Sequence, residues 1–296
     1  MRTFENLNPI AAAVYFAAVI GAVMFGMDPV MSALSLVGAV AMFAAVSQGR
    51  SRPWFHLTLA GVFLAGTALN PLLNHRGTTV LFVLNNNPVT LEALFHGAAN
   101  ALMIVSVMYW FGGMSRIMTS DKLLYIFGSA LPKLSLILSM ALRYIPMFAR
   151  QTRAVNSAQK AMGLYRDDGF VDGVRSRIRV FSVMVMWALE NGITTADSME
   201  ARGYGAARRS FFSIYRFTAR DALVTALSLV LAALALLGQA LCEPVISIYP
   251  WLSALPAAQW PPLIAVSYAA YAVLAALPVT IWIGDELRWR YLQSKI

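Results

Sequence analysis

The chain has 296 residues, of which 59% are hydrophobic and only 12% are charged. Soluble domains carry about 25% charged residues, so this composition excludes an ordinary soluble domain and indicates a polytopic membrane protein. The net charge of +9 fits basic loops on one side of a membrane, so no nucleic-acid partner is predicted. The single Cys242 excludes a disulfide within the chain and a cysteine-cluster metal site.

Long stretches without charges predict six membrane spans, because a helix needs about 20 apolar residues to cross the hydrocarbon. The stretches lie between Glu5 and Asp28, from Pro29 to Gly49, between Arg52 and Arg76, between Glu92 and Arg116, between Asp221 and Glu243, and over 263–283. The predicted fold class is therefore all-α, a polytopic membrane protein with a helical insert between spans four and five.

Residues 123–142 are also apolar, but Pro132 and Lys133 stand near their centre. A lysine in the middle of the bilayer costs roughly 2.5 to 3.5 kcal/mol. We therefore predict helices at the membrane surface here, with a seventh span as the alternative.

The basic residues predict the orientation of the chain. With the N-terminus inside, all of the 23 lysines and arginines except Arg76 fall on the inner side. The positive-inside rule then places both termini and residues 112–220 in the cytoplasm. The predicted domains are an N-terminal membrane domain (1–111), a cytoplasmic or interfacial insert (112–219) and a C-terminal membrane hairpin (220–296).

Two helices predicted in the insert, over about 147–162 and 176–202, end in the same way. Their ends read Ala-Met-Gly at 161–163 and Ala-Arg-Gly at 201–203. C-capping explains either end taken singly, because glycine adopts the left-handed cap and a terminal arginine complements the helix dipole. Docking of both ends on a partner protein explains why the pattern occurs twice. Small residues allow the partner to approach closely, and the planar guanidinium of an exposed arginine can bind a carboxylate.

The segment ADSMEARGYG (196–205) closely resembles the second coupling-helix signature of the transmembrane T component of energy-coupling factor (ECF) transporters, which are ATP-driven importers of the ABC type. The resemblance extends over most of the chain. It also includes LNPLLNHRGTTVLF (69–82), NPVTLEALFHG (87–97), TSDKLLYIFG (119–128) and LSLILSMALRYIPMF (134–148).

This resemblance implies a coupling subunit without catalytic activity in the cell membrane of a prokaryote. Its partners would be two ABC ATPase subunits, or one fused pair, and a membrane-embedded S component that binds a vitamin or a metal ion for uptake. It also implies that six residues dock on the ATPases: Ala161, Met162, Gly163, Ala201, Arg202 and Gly203. Since both coupling helices of the family typically end in Ala-Arg-Gly, Met162 indicates unequal ATPase halves or an apolar contact. No cofactor or metal is implied.

Other patterns leave alternatives open. Glu92 and His96 share a helix face and could form a metal or proton site, but helix capping by Thr90, the favourable position of Glu92 at the helix start and packing of His96 explain them better. No glycine is followed by lysine, so the chain has no phosphate-binding P-loop, and ATP hydrolysis is expected in partner subunits. The alternative functions are the pore-forming permease of a conventional ABC importer and an intramembrane enzyme.

Overall fold

The structure is a computed structural model that describes residues 7–26, 28–47, 53–74, 77–84, 87–164, 170–206, 215–242, 245–249, 252–256 and 259–293. Its helices are α1 (Pro9–Gly26), α2 (Pro29–Ser47), α3 (Pro53–Leu73), α4 (Leu91–Ile117), α5 (Ser120–Ala130), α6 (Pro132–Ala161), α7 (Phe170–Ala201), α8 (Ala219–Leu241) and α9 (Pro262–Gln293). Its strands are β1 (Val80–Leu84), β2 (Asn87–Thr90), β3 (Ile246–Ser247) and β4 (Ser253–Ala254). Arg76, the one basic residue predicted to face outward, is not among the described residues.

Six helices are long and apolar enough to cross a membrane: α1, α2, α3, α4, α8 and α9. They coincide with the six predicted spans, and the predicted class of all-α polytopic membrane protein is confirmed. The largest difference is in α9, which continues ten residues past position 283. The polar end of α9 remains helical. It contains an ion pair between Arg290 and Glu286, which are one helical turn apart, with Nε and Oε1 separated by 3.3 Å.

Proline begins five of the helices and so sets where several spans start. Proline is well suited to the first helical position, because the N–H that it lacks would be unpaired there and its φ already matches the helix. The helices that begin in this way are α1, α2, α3, α6 and α9.

The chain divides into two compact units, one formed by residues 1–123 with 215–296 and the other by residues 124–214. The first, here the membrane unit, contains all six apolar helices. The second, here the coupling unit, contains α6, α7 and most of α5. The domain borders at 111 and 219, which rest on membrane topology, stay a prediction.

Helix α1 is the most enclosed element of the membrane unit. Its Tyr15, Phe16 and Val19 have no exposed surface, and it packs mainly against α8. The Tyr15 hydroxyl donates to the carbonyl of Leu274 in α9 at 3.0 Å. Around it, α2 packs on α4 and α9, and α3 packs on α4.

Small residues let these helices approach closely, as is usual in membrane bundles. A Cβ added at Gly238 would lie 2.4 Å from the Cβ of Ser267, and one added at Gly97 would lie 2.9 Å from the carbonyl of Thr67. Gly97 therefore allows α4 to pack closely against α3. A Cβ at Gly61, by contrast, would meet nothing within 4 Å.

Two buried carboxylates fasten distant parts of the membrane unit. Asp28 accepts the backbone N–H of Val30 at 2.8 Å and the hydroxyl of Tyr268, 240 residues away, at 2.5 Å. Asp221 accepts the backbone N–H of Asn8 at 2.9 Å and that of Thr218 at 2.8 Å, which completes a capping box on α8. These bonds hold the start of α8 against the residue that precedes α1.

Candidate functional site

The coupling unit is built on two long helices, α6 and α7. Helix α6 is one element of 30 residues that starts at Pro132 and passes through Pro146, so it begins 15 residues before the predicted start at Met147. Helix α7 has 32 residues and begins six residues before the predicted Ser176.

The two helices run antiparallel along the contacts that join them. The hydroxyl groups of Tyr144 and Thr195 lie 2.9 Å apart, and the rings of Phe148 and Trp187 meet edge to face with centroids 5.6 Å apart. Residue numbers rise along α6 as they fall along α7, so the C-terminal ends of the two helices lie at opposite ends of the pair. An open groove of about 500 Å³ lies between them, lined mainly by apolar side chains such as that of Met140.

The first candidate site is the end of α6. Gly163 adopts a left-handed backbone with φ +68°. Its N–H donates to the carbonyl of Lys160 at 3.0 Å, and the N–H of Leu164 donates to the carbonyl of Gln159 at 3.1 Å. This pair of bonds is a Schellman motif, which satisfies carbonyls that the helix end would leave unpaired.

The second candidate site, at the end of α7, repeats this geometry. Gly203 has φ +80°. Its N–H donates to the carbonyl of Glu200 at 2.8 Å, and the N–H of Tyr204 donates to the carbonyl of Met199 at 3.0 Å. The two ends, forty residues apart, therefore share one backbone conformation and one pair of capping bonds.

All six predicted site residues, those at 161–163 and 201–203, are exposed. A Cβ at Gly163 or Gly203 would meet nothing within 4 Å, so glycine serves the backbone conformation here and not a shortage of space. Within the described residues, the side chain of Arg202 makes no hydrogen bond or ion pair. Capping is thus done by the backbone around the glycines, and the guanidinium of Arg202 remains available to another molecule.

Sequence reasoning missed the residue that follows each glycine. Leu164 and Tyr204 are 42% and 52% exposed, and each lies beside its helix end. The signal was present, because a Schellman motif commonly has an apolar residue one position after the glycine. Each end therefore presents two side chains, one before the glycine and one after it.

The Glu92–His96 pair has other partners. Thr90 caps α4 by accepting the N–H of Ala93 at 3.3 Å, as predicted. The carboxylate of Glu92 accepts the N–H of Thr79 at 3.1 Å and also bonds the hydroxyl of that residue. Glu92 thus fastens the start of the β1–β2 hairpin, which the sequence analysis did not predict.

His96 is held separately from Glu92. Its ring lies 5.4 Å from that of Tyr249, and its Nδ1 lies 3.2 Å from the side-chain nitrogen of Asn100. In the part of the chain that the structure describes, no group of three or more histidine, cysteine or acidic residues could hold a metal ion. By their observed contacts, Glu92 supports the hairpin and His96 packs against Tyr249.

Comparison with protein families matches residues 6–214 to the family CbiQ, described as cobalt transport protein. The chain belongs to this family. The match includes the whole of α1 to α7 and both helix ends, and it confirms the resemblance to the T component of ECF transporters.

Several curated relatives agree with this assignment. The energy-coupling factor transporter transmembrane protein EcfT of Lactobacillus helveticus is 27% identical over 118 residues, which is 39% of this chain and 43% of the relative. EcfT of Lacticaseibacillus paracasei is 33% identical over 113 residues, 36% of this chain and 42% of the relative. EcfT of Listeria innocua is 27% identical over 161 residues, 49% and 60%. Each alignment spans less than two thirds of the relative.

Proposed function

We propose that this chain is the coupling subunit of an ECF-type ABC importer, which transmits ATP-driven motion from two ATPase subunits, or one fused pair, to a membrane-embedded S component. The cargo is a micronutrient, either a vitamin or a metal ion. Membership of the CbiQ family and the similarity to EcfT proteins support this function. The observation that carries it is the pair of equivalent, exposed helix ends in the coupling unit.

The two ends suit a partner with two related docking surfaces. Each end is small around its glycine and can enter a groove, since nothing within 4 Å surrounds the Cβ position. Arg202 adds a group that binds a carboxylate or helix-end carbonyls in two parallel hydrogen bonds. Two ATPase subunits are a partner of this kind, and the proposed docking residues are those at 161–163 and 201–203.

ATP hydrolysis is assigned to the partners. A P-loop needs a glycine followed by lysine, and this sequence has no such pair. The ATPases act in the cytoplasm, which agrees with the proposed cytoplasmic location of residues 112–220 and of both termini.

An apolar stripe on α7 is the proposed contact with the S component. It consists of exposed side chains three or four residues apart, at Ile178, Phe181, Val185, Leu189 and Ile193. An exposed patch of this kind marks a contact with protein or membrane. A small hydrophobic membrane protein matches its chemistry, because no charged residue interrupts the helix between Arg179 and Glu190.

Copurification tests the function directly. The tagged chain is expressed together with its candidate ATPases and S component and is extracted in detergent. The proposal expects both kinds of partner in stoichiometric amounts, and fewer ATPases with Arg202→Ala, because truncating one partner of a buried charged pair costs about 2 to 5 kcal/mol. A chain that purifies alone and shows enzymatic turnover would refute the proposal.

A further inference from the structure

Aromatic rings join the end of α2, the start of α3 and the end of α4, which the predicted orientation places at the cytoplasmic membrane surface. The rings of Phe43 and Phe55 stack with centroids 4.9 Å apart, and the ring of Tyr109 meets both edge to face. Nδ1 of His56 lies 2.9 Å from the Tyr109 hydroxyl. A Cβ added at Gly112 would lie 3.0 Å from the ring of Phe55, so the stacked rings lie directly on α4.

Arg116 reaches over these rings from the last turn of α4. It lies one helical turn after Gly112 and therefore on the same face of the helix. The central carbon of its guanidinium is 4.6 Å from the centroid of the Phe43 ring. A guanidinium within about 6 Å of a ring centroid is attracted to the face of that ring. Phe43 thus positions the cation, and the N–H groups at its edge remain available to an acceptor.

The described part of the chain offers Arg116 no acidic partner. The sequence between Asp28 and Glu92, which includes all of α2 and α3, has no acidic residue, and α4 has none after Glu92. Asp121, the next acidic residue, is exposed on α5. Among the described residues, Arg116 forms no hydrogen bond or ion pair with it or with any other side chain. Arg116 is therefore an exposed cation without a counter-charge.

An apolar surface lies beside the rings, at the start of α3. Trp54, which directly precedes Phe55, is 74% exposed, and Leu57 is 63% exposed. Together with Pro53 they line an open cavity of about 320 Å³. Tryptophan side chains are typical of the membrane interface, where the ring lies at the level of the lipid headgroups. The same end of the helix bundle therefore presents a cation and an apolar cavity.

We infer that this end of α2, α3 and α4 binds an anionic phospholipid such as phosphatidylglycerol. The lipid phosphate accepts hydrogen bonds from the Arg116 guanidinium, whose planar fork matches phosphate oxygens. The first part of an acyl chain lies against Trp54 and Leu57. Basic pockets between membrane helices on the cytoplasmic side bind headgroups of this charge. The inference concerns the membrane unit alone and is independent of the proposed coupling function.

The two halves of the site together select this class of ligand. Inorganic phosphate pairs with Arg116 but leaves Trp54 and Leu57 uncovered, so it gains nothing from burial of apolar surface. A phosphatidylcholine covers the apolar half, but its headgroup brings a second cation close to Arg116, and like charges repel. Only a lipid with a net negative headgroup satisfies both halves.

Native mass spectrometry of the purified, delipidated chain tests this inference. The protein is titrated in detergent with phosphatidylglycerol and, separately, with phosphatidylcholine of the same acyl chains. We expect the wild type to bind phosphatidylglycerol in preference. Arg116→Gln should lower that binding about fivefold, while Arg288→Gln, which removes an exposed arginine at the end of α9, should stay within about twofold of the wild type. Equal binding of the two lipids by the wild type, or undiminished binding by Arg116→Gln, would overturn the inference.

Two further measurements separate lost binding from damage to the fold and lipid from free phosphate. Phosphatidylglycerol should raise the melting temperature of the wild type but not that of Arg116→Gln, and the two proteins should melt alike without lipid. Trp54→Ala, which leaves the cation in place, should also weaken phosphatidylglycerol binding, and unchanged binding would refute the acyl-chain contact. Displacement of the lipid by excess inorganic phosphate would show a site for free anions and would contradict the inference.

Discussion

The left-handed glycine at the end of α7 allows the geometry of the proposed docking site to be tested apart from its charge. Gly203 has φ +80°, which costs a residue with a Cβ about 1 to 2 kcal/mol. Steric clash with neighbouring residues does not add to this cost, because a Cβ at position 203 meets nothing within 4 Å. Valine raises this cost because its branched Cβ makes positive φ a true outlier, while asparagine is tolerated. A cost of about 1 to 2 kcal/mol shifts the equilibrium between the capped and the open helix end towards the open one by a factor of about 5 to 30.

The assay compares Gly203→Val with Gly203→Asn at matched membrane expression. Opening the end also weakens two backbone hydrogen bonds, those from the N–H groups of Gly203 and Tyr204, each worth about 0.5 to 1.5 kcal/mol. We expect the valine variant to lose most copurified ATPase and uptake, and the asparagine variant to keep at least half of both. Equal behaviour of the two variants would refute the argument that the cap conformation positions the docking residues.

Two further predictions concern the membrane unit and the orientation of the chain. Gly238→Ala places a Cβ 2.4 Å from that of Ser267, and this overpacking should destabilise the protein by about 1 to 3 kcal/mol, whereas Gly61→Ala, in open space, should not. Thermal unfolding in detergent measures both, and equal melting temperatures would show that α8 and α9 are not so close. In a cysteine-free background, a cysteine at position 76 should react with an impermeant reagent from outside and one at 208 only from inside. Labelling of 208 in intact cells would reverse the orientation.

The sequence predicts most of the helical framework because its signals are local. The six spans follow from charge-free length, and several of their starts coincide with prolines such as Pro9 and Pro262. The two glycine caps follow from Gly163 and Gly203, whose left-handed backbone the structure contains. Each of these features depends on a window shorter than about 25 residues.

Other features could not be predicted because they depend on distant pairing or on context. The bond between Asp28 and Tyr268 joins residues 240 apart, and no local pattern identifies such a partner. Helix α6 continues through Pro146, although proline usually ends a helix, so the prediction began it at Met147. Helix α9 continues ten residues beyond the predicted span, because hydropathy detects the apolar span and not the polar turns that continue the helix.

The geometry of the helix ends could be predicted only in part. Sequence shows the repeated Ala-x-Gly pattern, and capping explains either end taken singly. In the structure, backbone bonds at Gly203 complete the cap, and the side chain of Arg202 makes no bond within the described residues. The unequal side chains of the two ends are visible in the sequence, whereas their equal backbone geometry becomes apparent only in the structure.

Reversing the charge at Arg202 tests the central claim most directly. Arg202→Glu is compared with Arg177→Glu, which reverses an exposed arginine within α7, in a protein that inserts at the wild-type level. The measurement is substrate uptake together with ATPase copurification. The account predicts that Arg202→Glu abolishes coupled uptake and is worse than Arg202→Ala, because repulsion is added to the lost contact, while Arg177→Glu retains uptake. Wild-type uptake and ATPase content in Arg202→Glu would contradict the assignment of this helix end as a docking site.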